Sequence, residues 1–381
     1  MRINLQAPAG CPAALLDCAG LPLLNQLDGF SVNPRITVCF SADVDTNSIP
    51  DGIRFIPYSA AGPVVGINQI LYDQPSHCVF AKPDRVLNQQ TRYLLTVSNS
   101  VTAGGAPIAA SDEFQACLSQ KDTYCRDLSA AAKTSAGKVS GQIVSASLFT
   151  TLSATTWLEQ ARQNAVRSPS VLLPAGITST FKLANVKSMK WFPQDNSGAA
   201  TSQDIPLPAL SGVDRIAFGL YLSPNYLQLS GSSFGTILNT PTNKPIAAAL
   251  PLPVSYHVFL PPVSGNARIP VVIYGHGLSD NQFGAPTYIA STLASQGFAT
   301  LAIEIPGHGF GPASHVQITN SDNSTSIVLT PGRGGKLLQT TPISSDDGCV
   351  VSGPLAVRDC ARQTAVDLFA LVHAIQQTNG L

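Results

Sequence analysis

Two short apolar runs, Ile269-Pro-Val-Val-Ile-Tyr274 and Phe298-Ala-Thr-Leu-Ala-Ile-Glu-Ile305, each lead straight into a glycine-flanked histidine. The first opens on Gly275-His276-Gly277-Leu278 and the second on Pro306-Gly307-His308-Gly309. An unbroken apolar run of this length marks a strand buried on both faces of a parallel sheet. Between the runs, Pro286 to Gln296 reads as a helix with Ile289, Ala290 and Leu293 inward and Gly297 as its C-terminal stop. Strand, helix, strand is α/β architecture, and both glycine bends are then expected at one edge of the sheet. After a long polar loop, a further helix is expected from about Pro354 to Thr378. Its apolar positions Ala361, Ala365, Leu368, Val372 and Ile375 step by four, three, four and three.

The chain upstream has another rhythm. Arg35-Ile-Thr-Val-Cys-Phe40 and Arg92-Tyr-Leu-Leu-Thr-Val97 alternate, and turn clusters such as Asn47-Ser-Ile-Pro-Asp-Gly52 lie between them. Short strands with this punctuation predict an Ig-like β-sandwich over residues 1–107. A helical linker is expected over 108–168, where Thr156-Trp-Leu-Glu159 has capping-box spacing and Trp157, Leu158, Ala161 and Ala165 share a face. Residues 169–262 read as a β-rich segment, in which Phe218, Tyr221 and Tyr226 are assigned to sheet core rather than to a groove. Residues 263–381 form the α/β part. The expected fold is thus all-β followed by α/β.

Eight cysteines, an even number, point to disulfides and an exported, secreted or cell-surface protein; no signal peptide is visible in the sequence, and the alternative is a cytosolic protein with free thiols. Cys39 and Cys78 can bridge if their strands are neighbours. Cys117 and Cys125 cannot bridge within one straight helix, where eight residues span about 12 Å. If they pair, the chain must turn near Lys121-Asp-Thr-Tyr124. Cys349 with Cys360 is expected to staple the long loop to the last helix. Only 12% of residues are charged, with 22 basic and 22 acidic side chains and zero net charge. That argues against disorder and against binding nucleic acid through clustered cations. No apolar run reaches the roughly 18 residues of a membrane-spanning helix.

Chemistry is concentrated at the first glycine bend. Glycines on either side of His276 let backbone N–H groups turn toward the sheet edge, where an ester's tetrahedral intermediate gathers negative charge. Gly277 and Leu278 are the expected donors. His276 is read as bracing the bend rather than as a base, and His308 likewise. These segments resemble a known family. Residues 269–381 look like the first half of an α/β-hydrolase, with Gly275–Leu278 matching its oxyanion loop and Pro306–Gly309 the loop after the next strand. Arg362-Gln-Thr-Ala-Val-Asp367 resembles the helix before the nucleophile strand. Residues 20–262, with Leu27-Asp-Gly-Phe30 and Gly66-Ile-Asn-Gln69, resemble the N-terminal region of bacterial virulence-factor-type lipases.

The resemblance implies a serine carboxylic-ester hydrolase of lipase or esterase type acting on a small-molecule or lipid ester without a cofactor. It also exposes a departure, because the nucleophile elbow, acid and histidine of such enzymes come later than Thr378. No nucleophile, acid or base is assigned in this chain, which is read as an inactive fragment. Gly231-Ser-Ser-Phe-Gly235 precedes the oxyanion strand and is read as a turn. His315 and His373 form no metal set, while Asp43, Asp45, Asp51 and the Asp346-Asp347 pair read as turn residues. Asp367 reads as a hydrogen-bonding helix residue. The rival reading is a non-catalytic extracellular surface-binding or adhesion protein in which the sandwich is the working part.

Overall fold

In the computed structural model the described residues are 24–58, 61–177, 179–194, 202–227, 250–265, 268–278, 280–334 and 354–378, with a few isolated positions besides. They fall into two compact units that divide after Trp157.

Alternating strands build the first unit. Its strands are β1 (Ile36–Cys39), β2 (Ile53–Pro57), β3 (Ile67–Asp73), β4 (Cys78–Pro83), β5 (Arg92–Ser98) and β6 (Ile143–Thr150). They form two antiparallel sheets, ordered β1-β4-β3 and β2-β5-β6. Ile36, Ile67 and Val79 of one sheet meet Phe55, Tyr93 and Val97 of the other in a shared core, so this is a sandwich. The second sheet is apolar on its outer face as well. There Ile56, Leu94 and Leu148 pack against Phe114, Leu128 and Ala131 of helices α1 (Asp112–Ser119) and α2 (Thr123–Ser135).

The segment read as a linker therefore supplies a third layer and one strand. In β6 the small residues Ser145, Ala146 and Ser147 have little strand preference of their own, and pairing along the whole of β5 is what extends them. Between the helices the chain turns where expected. Asp122 caps α2 by accepting from the amides of Tyr124 and Cys125 at 3.0 and 3.1 Å, and the turn brings Cys117 within 5.1 Å (Cα–Cα) of Cys125 for their disulfide. Cys39 and Cys78 face each other across β1 and β4 and are also bridged.

The second unit begins with most of helix α3 (Thr156–Arg167). Its strands are β7 (Thr180–Lys182), β8 (Val186–Phe192), β9 (Gln203–Ile205), β10 (Arg215–Ser223), β11 (Leu252–Leu260), β12 (Val271–Tyr274), β13 (Ala299–Ile303), β14 (His315–Asn320) and β15 (Thr325–Leu329). Helices α4 (Ala285–Ser295) and α5 (Pro354–Gln377) complete it. The main sheet runs β7-β10-β11-β13-β12, antiparallel until the parallel pair of β13 and β12 at its end. The boundary drawn at 262/263 thus cuts through one sheet. Phe218, Tyr221 and Tyr226 are buried as core. One sheet face packs on α4 and on a second sheet, β9-β8-β14-β15, around Trp191, Met189, Val316 and Ile318. The other face packs on Ala370, Leu371 and Ala374 of α5.

Four local readings need correction. β12, read as buried on both faces, is half-buried, and Val271 is 38% exposed. It ends the sheet among the described residues and has a partner on one side only. In α4 the buried positions are Pro286, Thr287, Ala290 and Ala294, so the face is turned away from Ile289 and Leu293. Small side chains let the helix lie close to its neighbours, and the Thr287 hydroxyl is satisfied by the Phe283 carbonyl at 2.7 Å. In α5 the expected stripe is only partly inward: Leu368 and Ile375 are half-buried against the core and Ala361 and Val372 are exposed, whereas Asp359, Gln363, Val366, Asp367, Ala370, Leu371 and Ala374 are buried. Finally, the long polar loop contains the β14–β15 hairpin, which turns at Asn323 in left-handed conformation, φ 62°.

Candidate functional site

β12 and β13 are in parallel register, Tyr274 opposite Ala302, so the bends that follow them leave the same carboxyl rim. At the second bend Gly307, Gly309 and Phe310 all have positive φ, 85°, 75° and 63°. Two glycines meet that demand without strain. The bend is then clamped from outside. The Gly307 amide donates to the Arg333 carbonyl at 2.9 Å, the Arg333 amide to the His308 carbonyl at 2.7 Å, and Cys349, bridged to Cys360 of α5, lies against Gly307. The His308 ring is buried, and its Nδ1 donates to the Pro306 carbonyl at 3.1 Å.

The first bend is supported from below. His276 is buried beneath it, with Nδ1 3.1 Å from the Gly277 carbonyl and Nε2 2.9 Å from Glu304 Oε1. Neither side chain of this ion pair is exposed to solvent. Burial alone would lower the imidazole's proton affinity, but hydrogen bonding and the charge of Glu304 outweigh it, and the pKa is raised above 6.5. The Ile305 amide approaches the same Nε2 at 3.3 Å, and the rings of His276 and His308 meet edge to face at 5.2 Å. Above the pair, Leu278 is 66% exposed. The amides of Gly277 and Leu278 meet no acceptor among the described residues.

The buried polar groups continue inward. Glu304 Oε2 accepts from the Gln282 amide at 3.3 Å, and Gln282 Oε1 lies 3.3 Å from Nδ1 of His257. His257 stacks on Phe283, and desolvation lowers its pKa to about 4 despite the Gln282 contact. On the far side, Arg333 binds the Asp367 carboxylate and donates to the Glu304 carbonyl at 3.3 Å. Asp367 also accepts from Ser223 Oγ at 2.7 Å and Gln363 Nε2 at 2.8 Å, and Tyr221 Oη donates to its carbonyl. Burial, then the Asp367 charge, push the Tyr221 phenol well above 10.

Among the sequence-stated positions, the structure brings together His276, Gly277, Leu278 and His308. Others lie apart. His315 stacks on Phe192 at 5.0 Å and His373 is half-buried on α5. In the first unit, Asp43 binds Tyr72, Gln74 and His77, and Asp45 binds Thr102 and the Gly105 amide. No group of three or more His, Cys, Asp or Glu able to hold a metal occurs among the described residues. Gly231, Ser232, Gly235, Cys11, Cys18 and the Asp346-Asp347 pair lie outside the described residues, while Ser233–Phe234 pairs with Leu229–Ser230 in a short hairpin. Glu304 and Arg333 carried no role in the sequence reading. Glu304 had one signal, a lone acid closing an apolar strand.

Comparison with known families matches residues 24–115 to the bacterial Ig-like domain family. The sandwich is thus Ig-like in sequence as well as in form. Comparison with curated proteins gives no match. No helix among the described residues is long and apolar enough to cross a membrane.

Proposed function

We propose that the second unit is the oxyanion-binding half of a serine carboxylic-ester hydrolase of lipase or esterase type, carried behind an Ig-like domain on an exported protein. One observation carries the reading: among the described residues the Gly277 and Leu278 amides meet no acceptor at the carboxyl rim of a parallel strand pair. Donors held in that way offset the charge that develops on an ester's carbonyl oxygen. The parallel end of the sheet supports the reading too, as does β12, which among the described residues has no strand on its other side, since a nucleophile strand would add there. The serine, acid and base must come from polypeptide outside residues 1–381. Three disulfides among the described residues favour an oxidising compartment.

This chain is expected to show no turnover of p-nitrophenyl esters. Turnover abolished by replacing Ser233 would refute the assignment. In a longer polypeptide carrying a G-x-S-x-G elbow after residue 381, turnover is expected. There Leu278→Pro removes one donor and should lower kcat about 100-fold or more, with little change in KM. The Ig-like match over residues 24–115 favours a second reading, a non-catalytic surface-binding protein. A longer polypeptide without turnover would count against the hydrolase reading, and binding of the Ig-like unit to a surface ligand would support the second.

A further inference from the structure

The bend after β12 depends on the protonation of a single ring. A carbonyl oxygen only accepts, so the 3.1 Å contact with Gly277 requires a proton on His276 Nδ1. The second nitrogen has two neighbours that make opposite demands. Glu304 Oε1, 2.9 Å away as an ion-pair partner, favours a charged Nε2–H, whereas the Ile305 amide, at 3.3 Å, donates and calls for a lone pair. Both cannot be satisfied at once. With Nε2 protonated the ring is an imidazolium facing a carboxylate whose Oε1 makes no hydrogen bond among the described residues and so relies on the ring's charge.

The Gly277–Leu278 peptide converts this into direction. A trans peptide holds its C=O and N–H antiparallel. With the Gly277 oxygen drawn down to the buried ring, the Leu278 N–H points the opposite way, out of the protein. We infer that Glu304 is a positioning residue: it keeps the proton on His276 Nε2, and the charge so held strengthens the Nδ1–H hydrogen bond to the Gly277 carbonyl that aims the Leu278 amide outward. The use of that amide as an oxyanion donor rests on the ester-hydrolase reading; the aiming does not.

The groups around the ring favour the charged form. Glu304 faces it from the end of β13, Asp280 acts on it from its own loop, and the raised pKa agrees. His308 adjoins it from the second bend, and the Arg333 guanidinium reaches the Glu304 carbonyl rather than its carboxylate. When the ring loses its Nε2 proton, the Ile305 amide takes the vacated lone pair and the carboxylate loses its partner. Nδ1–H keeps the Gly277 carbonyl in both states, so one proton changes the strength of the grip and not its partner.

The test is a pH titration of the 381-residue chain labelled with [15N]histidine, read from the ring nitrogens, with His276 assigned by comparison with His276→Asn. In the wild type both His276 nitrogens should stay protonated to a pH above 6.5, and the Leu278 amide shift should move with the ring's titration. Glu304→Gln should lower the ring's proton affinity about 10-fold or more and uncouple the Leu278 shift. A His276 that is neutral at pH 6.5 in the wild type, or unchanged by Glu304→Gln, overturns the inference. If Glu304→Gln does not fold, the wild-type titration decides alone. Ester turnover plays no part in either result. A failed hydrolase assay would leave Glu304's role standing, and a neutral His276 would leave the hydrolase reading to its own test.

Discussion

Gly297 and Gly309 hold nearly the same backbone angle, φ 82° and 75°, for different reasons. Gly297 ends α4 in a Schellman arrangement, with Phe298 N–H on the Leu293 carbonyl and its own N–H on Ala294, and open space where a Cβ would be. A Cβ on Gly309 would lie 2.4 Å from the Glu304 carboxyl carbon. Gly297→Ala should therefore cost about 1 kcal/mol, the left-handed penalty alone. Gly309→Ala should cost at least about 2 kcal/mol more, because it also displaces a buried charge. Denaturant midpoints of the two variants measure the difference. His257 makes a pH prediction. Its folded pKa of about 4 lies below the ordinary 6.5, so between those values the unfolded chain binds a proton that the folded chain refuses. Stability should fall as pH drops from about 6.5 to about 4, by about 3 kcal/mol. His257→Gln should lose that part of the slope in denaturant melts compared across the window. His276 acts in the opposite sense. Its pKa is raised, so its contribution is complete below 6.5 and fades as pH climbs through the folded value.

At the scale of elements, the two disulfides of the first unit invite comparison because they close loops of different length. Cys39 and Cys78 are 39 residues apart, and Cys117 and Cys125 are eight apart. Loop entropy then assigns about 4 kcal/mol to the first and about 2.5 kcal/mol to the second. Paired Cys→Ser substitutions, compared by thermal melting, should lower stability in that order. Equal losses would mean that neither loop is free in the unfolded chain. The helices show where periodicity misleads. In α3, Trp157, Ala161 and Ala165 are buried as their spacing predicts. In α5 the inward face holds Asp359, Gln363 and Asp367 beside Val366, Ala370, Leu371 and Ala374, while Ala361 and Val372 of the expected stripe are exposed. Arg358 and Arg362 pair with Asp359, and Arg333, Ser223 and Gln363 satisfy Asp367. A hydrophobicity count cannot see partners supplied from 34 or 144 residues away.

For the molecule as a whole, each unit has a core of its own, which predicts that residues 24–157 expressed alone fold cooperatively. A single thermal transition with dispersed amide resonances would verify it, and an unfolded fragment would refute it. Local chemistry was legible in the chain itself. Alternation marked β1 and β5, the turn at Lys121–Tyr124 followed from the reach of a disulfide, Gly297 announced the end of α4, and two Gly-His-Gly segments marked the bends. Each depends on neighbours within a few residues. The hairpin of β14 and β15 was read as polar loop, because polar flanks hid the alternation of Val316 and Ile318. What needed the fold was every property set by a distant partner: β12 half-exposed because among the described residues it has one neighbouring strand, Asp367 buried in α5 because Arg333 and Ser223 meet it there, and Glu304 carried under the His276 bend by the parallel register of two strands. Side-chain chemistry and backbone geometry act locally and can be read in order along a sequence. Burial and charge pairing depend on which distant segments meet, and tertiary packing decides that.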